Sequence, residues 1–170
     1  DQDYLRIYGL VPLSKTAPEK DVLSRYTYLQ KFKKESKQFG SQKQASESLA
    51  VQIAMENLAR NAGFADPLRL SWAMETKQVQ EILAKDTEIR DGDTLVKLAI
   101  DDEGKAEIIV RKGDKELKSV PPQLKKDKKY LEINDYKKIL KEQFSRSRKS
   151  LEEAMVRGDK FSLSELQTLF

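Results

Sequence analysis

Leu95-Val96-Lys97-Leu98-Ala99-Ile100, then Asp101-Asp102-Glu103-Gly104, then Ala106-Glu107-Ile108-Ile109-Val110 is the stretch on which the fold class turns. The two outer runs are short and rich in branched residues, and the acidic, glycine-ended quartet between them has the composition of a hairpin turn. Gly113-Asp114 turns the chain again toward Glu116-Leu117-Lys118, which completes a three-stranded antiparallel meander. Three strands with one apolar face do not hold together alone, so this meander must lie against helices. The expected class is therefore α+β, mainly helical, with a small sheet.

Helical signals lie on both sides. Toward the N-terminus, Thr16 and Glu19 have capping-box spacing before Val22, Tyr26, Leu29, Phe32 and Phe39, and Gly40 is placed to end that run. Ser41 and Gln44 repeat the start signal ahead of Ala45, Leu49, Ile53, Leu58 and Ala62, with Gly63 behind them. Residues 17–63 thus read as an antiparallel helical hairpin. Asp66-Pro67 opens a further helix with Leu68, Trp72, Val79 and Leu83 on its apolar stripe. Beyond the sheet, Pro121-Pro122 breaks the chain. Ile133, Tyr136, Leu140, Phe144, Ser147, Leu151 and Met155 then follow helical spacing along one long helix that Gly158 ends. Phe161, Ser162, Glu165 and Leu166 carry the staple and capping box of a last helix. The expected organisation is a helical segment at 1–86, the meander at 87–120 and a second helical segment at 121–170, folded as one compact domain.

The 170 residues include no histidine and no cysteine. Imidazole is the usual proton shuttle near neutral pH, and imidazole with thiolate supplies most zinc, copper and haem ligation. The composition therefore points away from metal and cofactor chemistry, and no catalytic residue, metal site or cofactor is expected. No run approaches the roughly 20 apolar residues of a membrane helix. Lack of cysteine suits a reducing compartment, and the cytoplasm is the expected location. The chain starts at Asp1 and stops at Leu169-Phe170 inside a helical pattern, which reads as part of something longer.

Charge is segregated. Residues 25–43 carry six basic and one acidic side chain, residues 118–149 carry eleven and four, and the net charge of the whole chain is only +4. Such basic segments suit nucleic acid or an acidic partner, or are neutralised by the acidic remainder of the same fold. Tyr28, flanked by lysines, is the one aromatic of the first segment expected at the surface, since Tyr26 and Phe32 fit the apolar side.

Five constellations bear on function. Asp91, Asp93, Asp101, Asp102 and Glu103 resemble a calcium loop in composition, but a strand between the two clusters separates them by about 26 Å, so turn solvation is the reading. Arg157-Gly158-Asp159 matches an adhesion tripeptide, yet helix termination at Gly158 accounts for it. Trp72, the only tryptophan, lies on an apolar stripe near Glu75 and reads as core with a secondary reading as the border of a binding face. From Ser145 to Arg157, Arg146, Ser150, Glu153 and Arg157 share one helical face while Arg148 and Glu152 share another. This pattern reads either as an ion-pair ladder or as a reader of phosphate or carboxylate groups. Glu75 with Glu153 is the carboxylate pair to inspect for histidine-independent catalysis.

Three segments also carry a resemblance: Arg69-Leu70-Ser71-Trp72-Ala73-Met74-Glu75-Thr76-Lys77, then Leu117-Lys118-Ser119-Val120-Pro121 with Leu124-Lys125-Lys126-Asp127, then Ser145-Arg146-Ser147-Arg148 through Leu151-Glu152-Glu153-Ala154-Met155 to Asp159. In order and spacing they resemble a bacterial domain family of unknown function found near the C-terminus of large helical proteins labelled molybdate metabolism regulators, over roughly residues 60–170. Some relatives also carry a WGR domain, associated with DNA-end-sensing ADP-ribosylating enzymes, so the resemblance implies nucleic-acid or stress-response biology by association alone. It carries over no catalytic residue and does not imply molybdate binding.

The preferred functional expectation is a non-catalytic interaction or regulatory module of a larger bacterial cytoplasmic protein. Its recognition face is expected at Lys118, Arg146, Arg148 and Arg157, bordered by Trp72 and Glu75, and its partners are other domains of the parent or a separate protein. A nucleic-acid-binding module using 25–43 and 118–149, and an enzyme using carboxylate and arginine, are the alternatives.

Overall fold

The computed structural model describes residues 2–167, which form two compact units: residues 2–76 with 162–167, and residues 77–161. The fold is α+β and mainly helical, as the periodicities predict. The three compositional segments do not coincide with these units, because residues 1–86 contribute to both.

The first unit contains helices only. Helix α1 (Gln2–Tyr8) was not foreseen, since Leu5 is its only buried residue and no apolar period announces it. Helix α2 (Pro18–Glu35) begins at Pro18, whose fixed φ suits the first helical position. Its N-cap is Ala17, which caps nothing. The cap expected of Thr16 does not form; the Thr16 hydroxyl lies 3.2 Å from that of Ser14, which accepts from the Ala17 amide at 3.3 Å, before the helix begins. A short 3-10 turn (Ser36–Gln38) leads to helix α3 (Ser41–Asn61), with Gly40 at its N-cap. Gly63 closes α3 at φ +78°, and the Phe64 amide reaches back to the Ala59 carbonyl at 2.8 Å.

The apolar stripe of α3 is not the one expected. Ala50, Val51, Ala54, Met55 and Leu58 are buried, whereas Leu49 is 52% exposed. The cause is α1, which packs on α3 and turns its small residues inward. The approach is so close at Gly9 that a Cβ there would collide with the Ala54 carbonyl oxygen and stand 2.7 Å from the Leu58 nitrogen.

Asp66 caps helix α4 (Pro67–Leu83) as the sequence indicates, accepting from the Arg69 amide at 2.9 Å. Its burial departs from the expected single stripe. Leu70, Trp72, Met74 and Glu75 are all buried in succession and Leu83 is exposed. Leu70 and Met74 join the core of the first unit, while Val79 and Ile82 join that of the second, so two differently phased stripes replace one.

The second unit is a four-stranded antiparallel sheet in sequential order, β1 (Glu88–Asp91), β2 (Thr94–Ile100), β3 (Ala106–Lys112) and β4 (Lys115–Glu116). Strand β1 adds one to the expected three. Its only apolar residue is Ile89, too few for an alternation to show, although Asp91-Gly92 ahead of β2 is a hairpin signal. Register pairs Val96 with Val110 and Leu98 with Ile108, which puts these four on one face. Helix α5 (Lys128–Arg157) lays Ile133, Tyr136 and Leu140 in the same core. Burying one such side chain contributes roughly 1.5–3 kcal/mol. Asp127 caps α5 through the Lys129 and Tyr130 amides, and Gly158 ends it at φ 72° with the Asp159 amide on the Ala154 carbonyl at 3.0 Å. Met155, expected on the buried stripe, is 72% exposed, and Ala154 takes the buried place. Lys85 Nζ donates to the Tyr136 hydroxyl at 2.7 Å, and that hydroxyl donates to Glu132.

Helix α6 (Leu163–Gln167) belongs to the first unit. Its capping box is reciprocal: the Ser162 amide donates to Glu165 Oε2 at 2.7 Å, and the Glu165 amide donates to Ser162 Oγ at 3.3 Å.

Candidate functional site

The arginines of α5 do not assemble into one cleft. With a rise of about 1.5 Å and a turn of about 100° per residue, Arg146 and Arg157 share a face but stand about 16 Å apart, and Arg148 points about 160° away from Arg146. Arg148 Nε bonds Glu152 at 3.0 Å with both side chains largely exposed. Arg157 bonds Asp159 at 2.7 Å across Gly158, so the adhesion-like tripeptide is a closed local ion pair. Lys118 is exposed after β4. Exposed pairs of this kind contribute at most about 1 kcal/mol and need no ligand to explain them.

Trp72 and Glu75 belong to the first unit and are both buried. Glu75 accepts a hydrogen bond from the Tyr26 hydroxyl at 2.8 Å, a satisfied core carboxylate. Glu153 lies in the second unit and pairs with Lys149 at 3.6 Å. In the acidic turn, Asp101 Oδ1 accepts from the Glu103 and Lys105 amides at 2.9 and 2.8 Å. Among the described residues no group of three acidic side chains is placed to hold a metal ion. Internal pairing also draws on the basic segments: Lys31 meets Glu35, Lys43 meets Glu47, and Lys138 meets Asp135.

Sequence reasoning missed the most heavily used cation of the first unit. Arg25 is 5% exposed and takes a place on the apolar stripe between Val22 and Leu29. Its guanidinium donates to the carbonyls of Val11 at 2.6 Å, Pro12 at 3.0 Å and Tyr8 at 3.3 Å, and to both oxygens of Asp21 at 2.9 and 2.8 Å. That pairing holds the Asp21 carboxyl below its ordinary range, helped by the Ser14 amide. Asn57 and Asn61 bind further carbonyls of residues 6, 9 and 11. The signal was present as a charged residue at a core position of the helical period. Tyr28 is half exposed, with its ring edge-on to Tyr8 at 5.4 Å and tilted against Phe32 at 6.4 Å. A second clasp places Arg69 between Asp66 and Glu165. The Ser162 amide, then Arg69 and the Ser162 hydroxyl, bring the Glu165 carboxyl down to about 2.

One concave feature of the first unit is an open groove of about 550 Å³ walled by α2, α3 and α4. Ala45, Leu49 and Leu68 supply its apolar surface, over a floor of the buried Val51 and Met55. Gln30, Lys33, Ser48, Gln52 and Ser71 supply polar groups, and among the described residues no acidic side chain lines it, although Gln52 donates to the neighbouring Glu56 at 3.2 Å. Leu49, the residue expected in the core and found half exposed, stands in this groove. The volume falls in the range of about 300–1,000 Å³ typical of ligand clefts. Its side chains offer contact and hydrogen bonds.

Residues 1–74 match the profile of a family of unknown function (DUF5724), and residues 114–170 match that of a domain of unknown function (DUF4132). Each match covers less than half of the chain. The first contains the whole groove, and the second contains α5. No curated protein and no solved structure matches the chain. Among the described residues no helix is long and apolar enough to cross a membrane.

Proposed function

We propose that this chain is a non-catalytic interaction module of a larger bacterial cytoplasmic protein, and that contact is made through the groove of the helical unit rather than through the arginines of α5. The observation that carries this reading is Leu49, a large apolar side chain 52% exposed inside a groove of about 550 Å³. Scattered exposed leucines are ordinary, but one set in a concave surface beside Ala45 and Leu68 offers a partner side chain apolar area to bury. The dispersal of the α5 arginines supports the choice, because Arg148 and Arg157 are engaged in separate local pairs and do not converge on one ligand. The resemblance of residues 60–170 to the C-terminal domain of molybdate metabolism regulator-like proteins supports a place within a longer bacterial chain.

Site-specific photo-crosslinking in cells tests the proposal. A benzoylphenylalanine at Gln52, on the groove rim, is expected to capture a protein adduct, and the same probe at Arg148 is not. Adducts from position 148 alone, or none from position 52, would overturn it.

A further inference from the structure

The reading of the groove as a contact surface leaves its partner open, and the walls and charges of the groove narrow that choice. All three walls are helices, and among the described residues the unit that holds them has no strand, so an added β-strand would find no sheet edge there to pair with. Side chains standing at helical spacing are complemented by the ridges of another helix. Charge narrows the choice further. Lys31 and Lys43 are paired with Glu35 and Glu47, whereas Lys33 on the rim and Lys37 one turn further along form no ion pair among the described residues. Lys33 is the one charged side chain lining the groove among the described residues, and the Glu56 carboxylate beside the rim is engaged by Gln52 at 3.2 Å, so the lining favours an acidic partner over a basic one.

We propose that the groove receives a short, acidic amphipathic helix from a polypeptide partner. Apolar side chains at i and i+3 or i+4 of that helix seat on Ala45, Leu49 and Leu68, and an aspartate or glutamate on its flank faces Lys33. This assignment rests on the groove being the contact surface, and the test separates the two.

Selection from a randomised amphipathic-helix display library against the whole chain, followed by fluorescence anisotropy of the enriched peptides, reads both. Enriched peptides are expected to carry a surplus of aspartate and glutamate and to weaken about tenfold or more against Leu49→Asp. Charge reversal at Lys33→Glu is expected to weaken them by about threefold, and added salt should reduce binding to the original chain more than to this variant. Circular dichroism of both variants reports whether they remain folded, and Leu49→Ser replaces Leu49→Asp if the latter does not. Peptides that need Leu49 but are neutral or basic would sink the acidic-helix assignment while leaving the groove as the contact surface. Enriched peptides indifferent to Leu49, or no enrichment at all, would overturn both.

Discussion

The helical unit and the sheet unit solve the same problem with different materials. In the sheet unit the core holds Val96, Leu98, Val110, Ile133 and Leu140, the buried polar residues Thr94 and Gln143 are uncharged, and the ion-paired side chains of α5 stand at the surface. In the helical unit polar side chains reach inside. Arg25 and Glu75 are each 5% exposed and hydrogen-bonded. The difference follows from the backbone. Strands satisfy their own peptide groups by pairing, but the irregular chain at residues 9–17 cannot, so long side chains of α2 and α3 must serve its carbonyls.

This contrast can be broken in four places. Ile133→Ala should produce the largest loss, about 2–5 kcal/mol by urea unfolding, because it empties the apolar interior of the sheet unit. Arg25→Met keeps much of the volume but leaves Asp21 and several carbonyls without their donor, and should cost about 3 kcal/mol by the same measurement. A loss for Arg25→Met within about 0.5 kcal/mol would erase the distinction between the units. Acid should act next. Glu165 has its carboxyl lowered from an ordinary 4.5 to about 2 in the folded chain, so its contribution is complete above pH 4.5 and is lost as pH falls toward 2. A Glu165→Gln variant should flatten that part of the thermal-stability profile. The smallest change belongs to Arg148→Ala, expected within about 0.5 kcal/mol since its partner Glu152 is also exposed.

Much of the fold was legible because its punctuation is local. Asp66-Pro67, Gly158 and the Ser162/Glu165 box each act within a few residues, and each performs the expected role. What escaped depends on neighbours distant in sequence. The phase of α3 is set by α1, whose sequence has no apolar period, and β1 gains its place only by pairing Ile89 opposite Val96. The candidate site was less legible for the same reason. Arginines at helical spacing suggest a charged face, but whether each is already satisfied depends on the rotamer its nearest carboxylate adopts. Leu49 looked like core by period, and only the tertiary arrangement shows it standing in the groove.

The carbonyls of Tyr8, Val11 and Pro12, held by Arg25, with those of Gly9 and Val11 held by Asn61, have a consequence for how this segment meets a protease. A protease must draw several residues of its substrate into an extended strand before it can cut. Here those residues would first have to surrender their carbonyl bonds, so a stretch without regular secondary structure should resist nicking as a helix does, until the clasp is removed.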